Sequence, residues 1–361
     1  MRRSTITTRV LGGSALACVA VALALVFVRY DAPAPRTDIL AALGLAAVAA
    51  AGWAFACRTA PALGPAPEAG PSSELPGRLP LPRRDLGTVI GFLLLALTPY
   101  SAHRLAQGPG GGVFLGLVGL LLIVVTVKAT LFARKQTSMK QRLLKLKVLA
   151  EDAAQGEVYA VRVRAGEPVR TRLSERGDKP GAVDVSYWHW IVVREGAHEI
   201  RLAAPRADVA RGAVRFGGQE GWLYLPKRWK LIDDELPAAF VADGGEALLG
   251  LTDPDEVRAY LVKDLRTTSS DRSARRVPST AKFRMPVHLS TFGGALLAAL
   301  LALPVLLLGN DVPTAAAWFL CALAAGSAVT GALRGAGDGA TRAVMSDVTW
   351  TERDETDPSI A

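Results

Sequence analysis

The sequence predicts a membrane protein with six α-helical spans and one soluble β-rich domain. Three observations predict it. Half of the 361 residues are apolar, an ordinary share, but they are bunched into long runs between Arg-dense segments. Six of those runs approach the roughly 20 residues that cross a hydrocarbon core of about 30 Å. Only residues 156–263 are long and rich in strand formers, and apolar runs enclose them on both sides.

Composition narrows the partners. Net charge is +9, which favours anionic lipid or acidic partners. Because the cations crowd the edges of the apolar runs, nucleic acid is not the expected partner. Cys18, Cys57 and Cys321 all fall inside apolar runs, so residues 156–263 have no disulfide framework and no Cys-based zinc site.

Residues 1–57 hold the first two expected spans. Arg2, Arg3 and Arg9 precede an apolar run over 10–28 that is longer than a signal-peptide core and ends in Phe27-Val28-Arg29-Tyr30, with no small-x-small cleavage site. The second run, 39–57, repeats Ala42, Ala46, Ala50 and Ala54 along one face. Such a strip lets a second backbone approach closely in lipid, and it suits homo-oligomer contact. Residues 58–85 contain seven prolines, which forbid helix and central strand, so an extended mobile cytoplasmic linker is expected.

Residues 86–133 hold the third and fourth spans, joined by Gly108–Gly112. No strand precedes those glycines and no Lys-Ser/Thr follows, so they read as a turn and not a phosphate loop. Lys128 lies close enough to Arg134 for its stem to reach the interface. Residues 134–155 carry Arg134, Lys135, Lys140, Arg142, Lys145 and Lys147 among leucines and read as a basic juxtamembrane helix.

In the domain over 156–263, alternation marks strands at 158–164 and 183–193, and Arg194-Glu195-Gly196-Ala197 turns into a strand at 198–203. Further strands are expected at 213–216, 222–225, 238–242 and 246–249. Asp243-Gly244-Gly245 joins the last two as a hairpin. Asp253 caps a terminal helix, with Pro254 at its first position and Glu256 completing a capping box.

About seven strands followed by one helix resembles the pleckstrin-homology-like fold, in the order of elements alone. That resemblance implies binding of phosphoinositides or peptides and no catalysis; an OB-like or other small barrel fits the same order. The whole layout is similar to uncharacterised bacterial multi-pass proteins of the inner membrane. Residues 264–285 form a basic linker, 286–333 the fifth and sixth spans, and 334–361 a polar tail expected to be disordered.

Twenty cations flank one set of span ends, whereas the alternate loops hold only Arg29, Arg36 and Arg104. Cytoplasmic loops retain Lys and Arg, so both termini and the central domain are expected in the cytoplasm, with the chain multi-pass in the cell membrane.

Chemistry is sparse. His189 and His198 lie nine residues apart on adjacent strands of the expected hairpin, within reach of each other, but no third or fourth ligand shares their spacing, so no metal or other cofactor is expected. Gly-x-Ser-x-Gly and paired-histidine helix motifs are both missing from the sequence, and no enzyme activity is expected. Asp233, Asp234 and Glu235 read as a solvated acidic loop. One constellation stands out: Trp222, Tyr224, Lys227, Arg228, Trp229 and Lys230. Aromatics interleaved with cations suit a lipid headgroup surface or a protein partner, with half-buried core rings as the alternative. The expected function is binding, regulation or scaffolding at the membrane face, for anionic lipid headgroups or a membrane or cytoplasmic protein. A transporter or channel subunit for a small solute is the second expectation, although no Asp or Glu falls inside an apolar run.

Overall fold

The computed structural model describes residues 2–28, 35–60, 63–72, 74–82, 141–176, 183–260, 265–267, 270–278, 307 and 348–356. They divide between two compact units, one with the N-terminal helices and one with the β-rich domain.

In the first unit, α1 (Arg2–Val28) and α2 (Thr37–Thr59) pack side by side. Ala22 and Leu25 meet Ile39, Ala42 and Leu43, and a Cβ on Gly52 would lie 3.6 Å from Leu11. Arg36 donates to the Leu25 carbonyl at 2.9 Å and pairs with Asp38 at 3.1 Å. Ala42 and Ala46 are buried, so part of the small-residue strip is spent within the chain. Leu45, Val48 and Phe55 leave α2 with an exposed apolar face.

The six-span fold class does not hold. Among the described residues one helix, α2, is long and apolar enough to cross a membrane. α1 opens on Arg2, Arg3 and Ser4 ahead of its apolar stretch. The expected spans within 86–133 and 286–333 lie outside the described residues, Leu307 excepted. The dominant element is a nine-stranded sheet.

That sheet is built from β2 (Val158–Arg176), β3 (Val183–Glu195), β4 (His198–Ala203), β5 (Glu220–Pro226), β6 (Leu236–Ala242), β7 (Glu246–Thr252), β8 (Arg266–Thr267), β10 (Arg275–Arg276) and β11 (Thr351–Thr356). A small separate sheet pairs β1 (Pro76–Arg78) with β9 (Ser270–Ser273). Strands β2, β3, β4, β7, β6 and β5 close into an antiparallel barrel. Within the barrel β2 is shared: residues 158–164 pair with β5 and residues 164–176 with β3, and a register shift between Ala165 and Pro168 bends the strand. The β4–β7 seam is a single pair, Ala203 opposite Leu251. Gly250 permits it, because a Cβ there would come within 2.5 Å of the Ala203 carbonyl oxygen.

The domain has two apolar layers. Val161, Val163, Ile191, Ile200, Leu223, Phe240 and Leu248 fill the barrel. Val209 and Phe216 of α4 (Arg206–Phe216), Trp229, and Val257 of α5 (Pro254–Tyr260) join the same core. On the other side of the sheet, Val158, Ala160, Trp222, Tyr224, Ala239 and Val241 are covered by α3 (residues 141–154) and by Leu75 and Leu79.

Four sequence expectations change here. The strand expected at 213–216 is the end of α4, whose Val209, Ala213 and Phe216 follow the helical period. This helix between β4 and β5 breaks the seven-strands-then-helix order. The Pro-rich stretch is no free linker over 63–82: it contributes β1 and a layer of core. The tail is ordered over 348–356, where β11 pairs in parallel with residues 169–174 of β2. Trp350 stacks edge-on against His189 at 5.1 Å, and Arg353 pairs with Glu199 at 3.1 Å.

Candidate functional site

The aromatic and basic residues singled out in the sequence separate into two sets. Trp222 is 6 % exposed and Tyr224 fully buried, both on the outer layer of β5 beneath α3 and the Pro-rich stretch. β5 is buried on both faces, which alternation within a seven-residue strand does not reveal. The guanidinium groups of Arg162 and Arg266 lie over the Trp222 ring at 5.4 and 5.2 Å. Burial pushes the Tyr224 phenol well above its ordinary range. Neither ring can rest on a lipid surface in this fold.

Trp229 is also buried, at 2 % exposure, and belongs to the barrel core. It sits in a 3-10 turn, Trp229–Leu231, that follows β5. The turn is fixed at its start, where the Lys227 N–H donates to the Glu157 carbonyl at 3.0 Å and the Lys227 ammonium pairs with the Glu157 carboxylate at 3.2 Å. With Trp229 pointing inward, Arg228 and Lys230 point to solvent. Leu231, which the sequence reading passed over, is 79 % exposed.

The turn therefore presents two cations and, next to them, one bare leucine, anchored by a buried indole. α3 runs beside it. Asp152 on that helix is raised above its usual carboxylate range by burial, against the pull of the Arg228 charge. The outward side of α3 exposes Leu144 and Val148, with Lys147 nearby in an ion pair with Glu151 at 3.4 Å. Leu144 and Val148 are four residues apart and share a face. Their exposure could have been read from the helical period of Leu146, Leu149, Ala150 and Ala153, which take the buried face.

The histidines do not form a pair. The register sets Glu195 opposite His198, so His189 lies six residues further along β3, about 20 Å away. No family model, curated protein or solved structure matches the chain. The site is therefore judged on its own chemistry. Exposed cations beside exposed aliphatic side chains can adhere to an anionic, partly apolar surface. They offer no nucleophile and no paired acid and base.

Proposed function

We propose that this chain is a membrane-attached, non-catalytic binding protein whose barrel meets anionic lipid headgroups on the cytoplasmic side of the cell membrane. The observation that carries the proposal is Leu231, bare to solvent beside the exposed Arg228 and Lys230 on a turn pinned by Trp229. A mobile loop would lose entropy on docking, and this turn is already ordered. Each cation near an anionic leaflet contributes about 1 kcal/mol, and burying a leucine adds up to about 2 kcal/mol. Such small terms suffice for a domain already tethered to the bilayer, because binding is then intramolecular.

Two further features support the reading. α2 is long and apolar enough to cross a membrane and keeps an apolar outer face. Residues 63–82, 141–278 and 348–356 belong to one unit, which supports placing all three stretches on one side of a membrane.

The test uses the full chain in nanodiscs of zwitterionic or anionic lipid, read by amide hydrogen exchange. Residues 227–232 should exchange more slowly in the anionic discs, and the combined Arg228→Ala, Lys230→Ala, Leu231→Ser variant should lose the difference. Equal exchange in both lipids would sink the lipid proposal and point to a protein partner.

A further inference from the structure

The tail strand β11 is bound in the manner of a ligand. β3 takes one side of β2 over residues 164–176, and on the other side β5 stops opposite Arg164. β11 covers residues 169–174 on that second side, which would otherwise be an open strand edge. Such an edge is a template for an added extended segment. We propose that it is a strand-addition site for an acidic segment led by a tryptophan, that the chain's own tail fills it in cis, and that a protein partner carrying the same pattern displaces the tail.

The pattern is written at successive positions of the bound strand. Trp350 is half-buried against the barrel core, edge-on to His189 at 5.1 Å and under the Arg206 guanidinium at 5.8 Å. Two residues on, Glu352 lies opposite Arg170 and pairs with it. Arg353 takes the other face of the strand, where it pairs with Glu199 at 3.1 Å and lies over the Trp190 ring at 5.1 Å. The register then sets Asp354 opposite Arg172, an exposed cation. Arg170, Arg172 and Arg206 thus favour an acidic segment, and Glu199 accepts its one cation. A slip of one residue in one direction would set Arg353 opposite Arg170, and in the other would leave Arg170 with Thr351. A partner therefore needs an indole, an acid two residues on, and a cation directly after that acid.

Three observations make the resident strand displaceable. Among the described residues β11 pairs with β2 alone, and Thr351, Glu352 and Arg353 are exposed, where ion pairs hold weakly. The Trp350 Nε1 and the His189 Nε2 are both buried with no hydrogen-bond partner among the described residues, so the seat is imperfect for its present occupant. β10 ends at Arg276 and β11 begins at Thr351, so no tight turn clamps the strand, and the advantage of tethering falls with the length of the connection.

The test uses the detergent-solubilised full chain and a fluorescent peptide of residues 348–357, read by anisotropy. The peptide should bind saturably to a Trp350→Ala chain, whose own tail has lost its anchor. It should bind at least tenfold more weakly to the unaltered chain, where the tail competes. Glu352→Lys in the chain, at an exposed position outside the barrel core, should likewise tighten peptide binding, and it serves where Trp350→Ala fails to fold. A peptide that itself carries Trp350→Ala should bind either variant chain at least tenfold more weakly than the original peptide. Amide exchange over residues 169–174 of the variant chains should slow when the original peptide is added. No saturable binding to either variant, equal affinity for the unaltered and the variant chains, or affinity indifferent to the peptide's tryptophan would overturn the proposal.

Discussion

Arg215 shows how single residues hold this domain together. It is buried with Glu246 in a two-pronged ion pair, 2.9 Å from its Nε, and its remaining nitrogen donates to the Gly64 carbonyl at 2.7 Å. The Ala66 N–H donates back to the Arg215 carbonyl at 2.7 Å, and the Gln219 amide reaches the Ala66 carbonyl at 3.0 Å. One arginine thus ties α4, β7 and the Pro-rich stretch together. Removing one partner of a buried pair leaves the other charge stranded, at a cost of about 3–5 kcal/mol. Arg215→Ala should destabilise the β-rich domain by that amount in chemical denaturation, and a loss below about 1 kcal/mol would show that water reaches Glu246. None of this was legible in the sequence. Arg215 and Glu246 are 31 residues apart and Gly64 lies a further 151 away, and local pattern says nothing about partners at such separations.

At the scale of the element, β11 is the least expected addition. It adds a parallel strand to residues 169–174 of β2, which β5 does not reach. Its anchor is Trp350, packed on His189 and covered by Arg206 at 5.8 Å. Burial first, then the charges of Arg206 and Arg170, lower the His189 pKa from 6.5 to about 4. Between pH 6.5 and 4 the unfolded chain therefore binds the proton more readily than the native chain. Stability from this packing is complete above pH 6.5 and is lost as pH falls toward 4. The melting temperature should drop between pH 7 and 4.5, with Trp350 emission shifting to the red. His189→Phe should flatten that dependence, and a pH profile unchanged by the substitution would contradict the assignment. The elements that were legible have their signal inside themselves: the Gly196 turn between β3 and β4, the Gly245 turn between β6 and β7, and the Asp253 cap. Gly196 and Gly245 both adopt positive φ, at 60° and 80°. β1 and β11 lack such signals. Each offers few apolar residues, and their strand character comes from neighbours supplied by distant parts of the chain.

For the whole molecule, apolar runs misled where composition alone was weighed, and the strands marked by alternation at 158–164 and 183–193 were found, whereas the short one expected at 213–216 is helical. The candidate surface was half legible. Arg228 and Lys230 are exposed, but Trp222 and Tyr224 are buried because α3 and Leu75–Leu79 cover the outside of β5, and Trp229 turns into the barrel core. What the account depends on most is that residues 63–82, 141–278 and 348–356 fold as one domain and so share one side of the membrane. The direct measurement places single cysteines at the exposed positions Glu68, Ala197 and Thr351, in a chain with its own cysteines replaced, and labels sealed vesicles of known orientation with an impermeant maleimide. All three should label from the same, cytoplasmic side. Labelling of any one of them only from the opposite side would contradict the account.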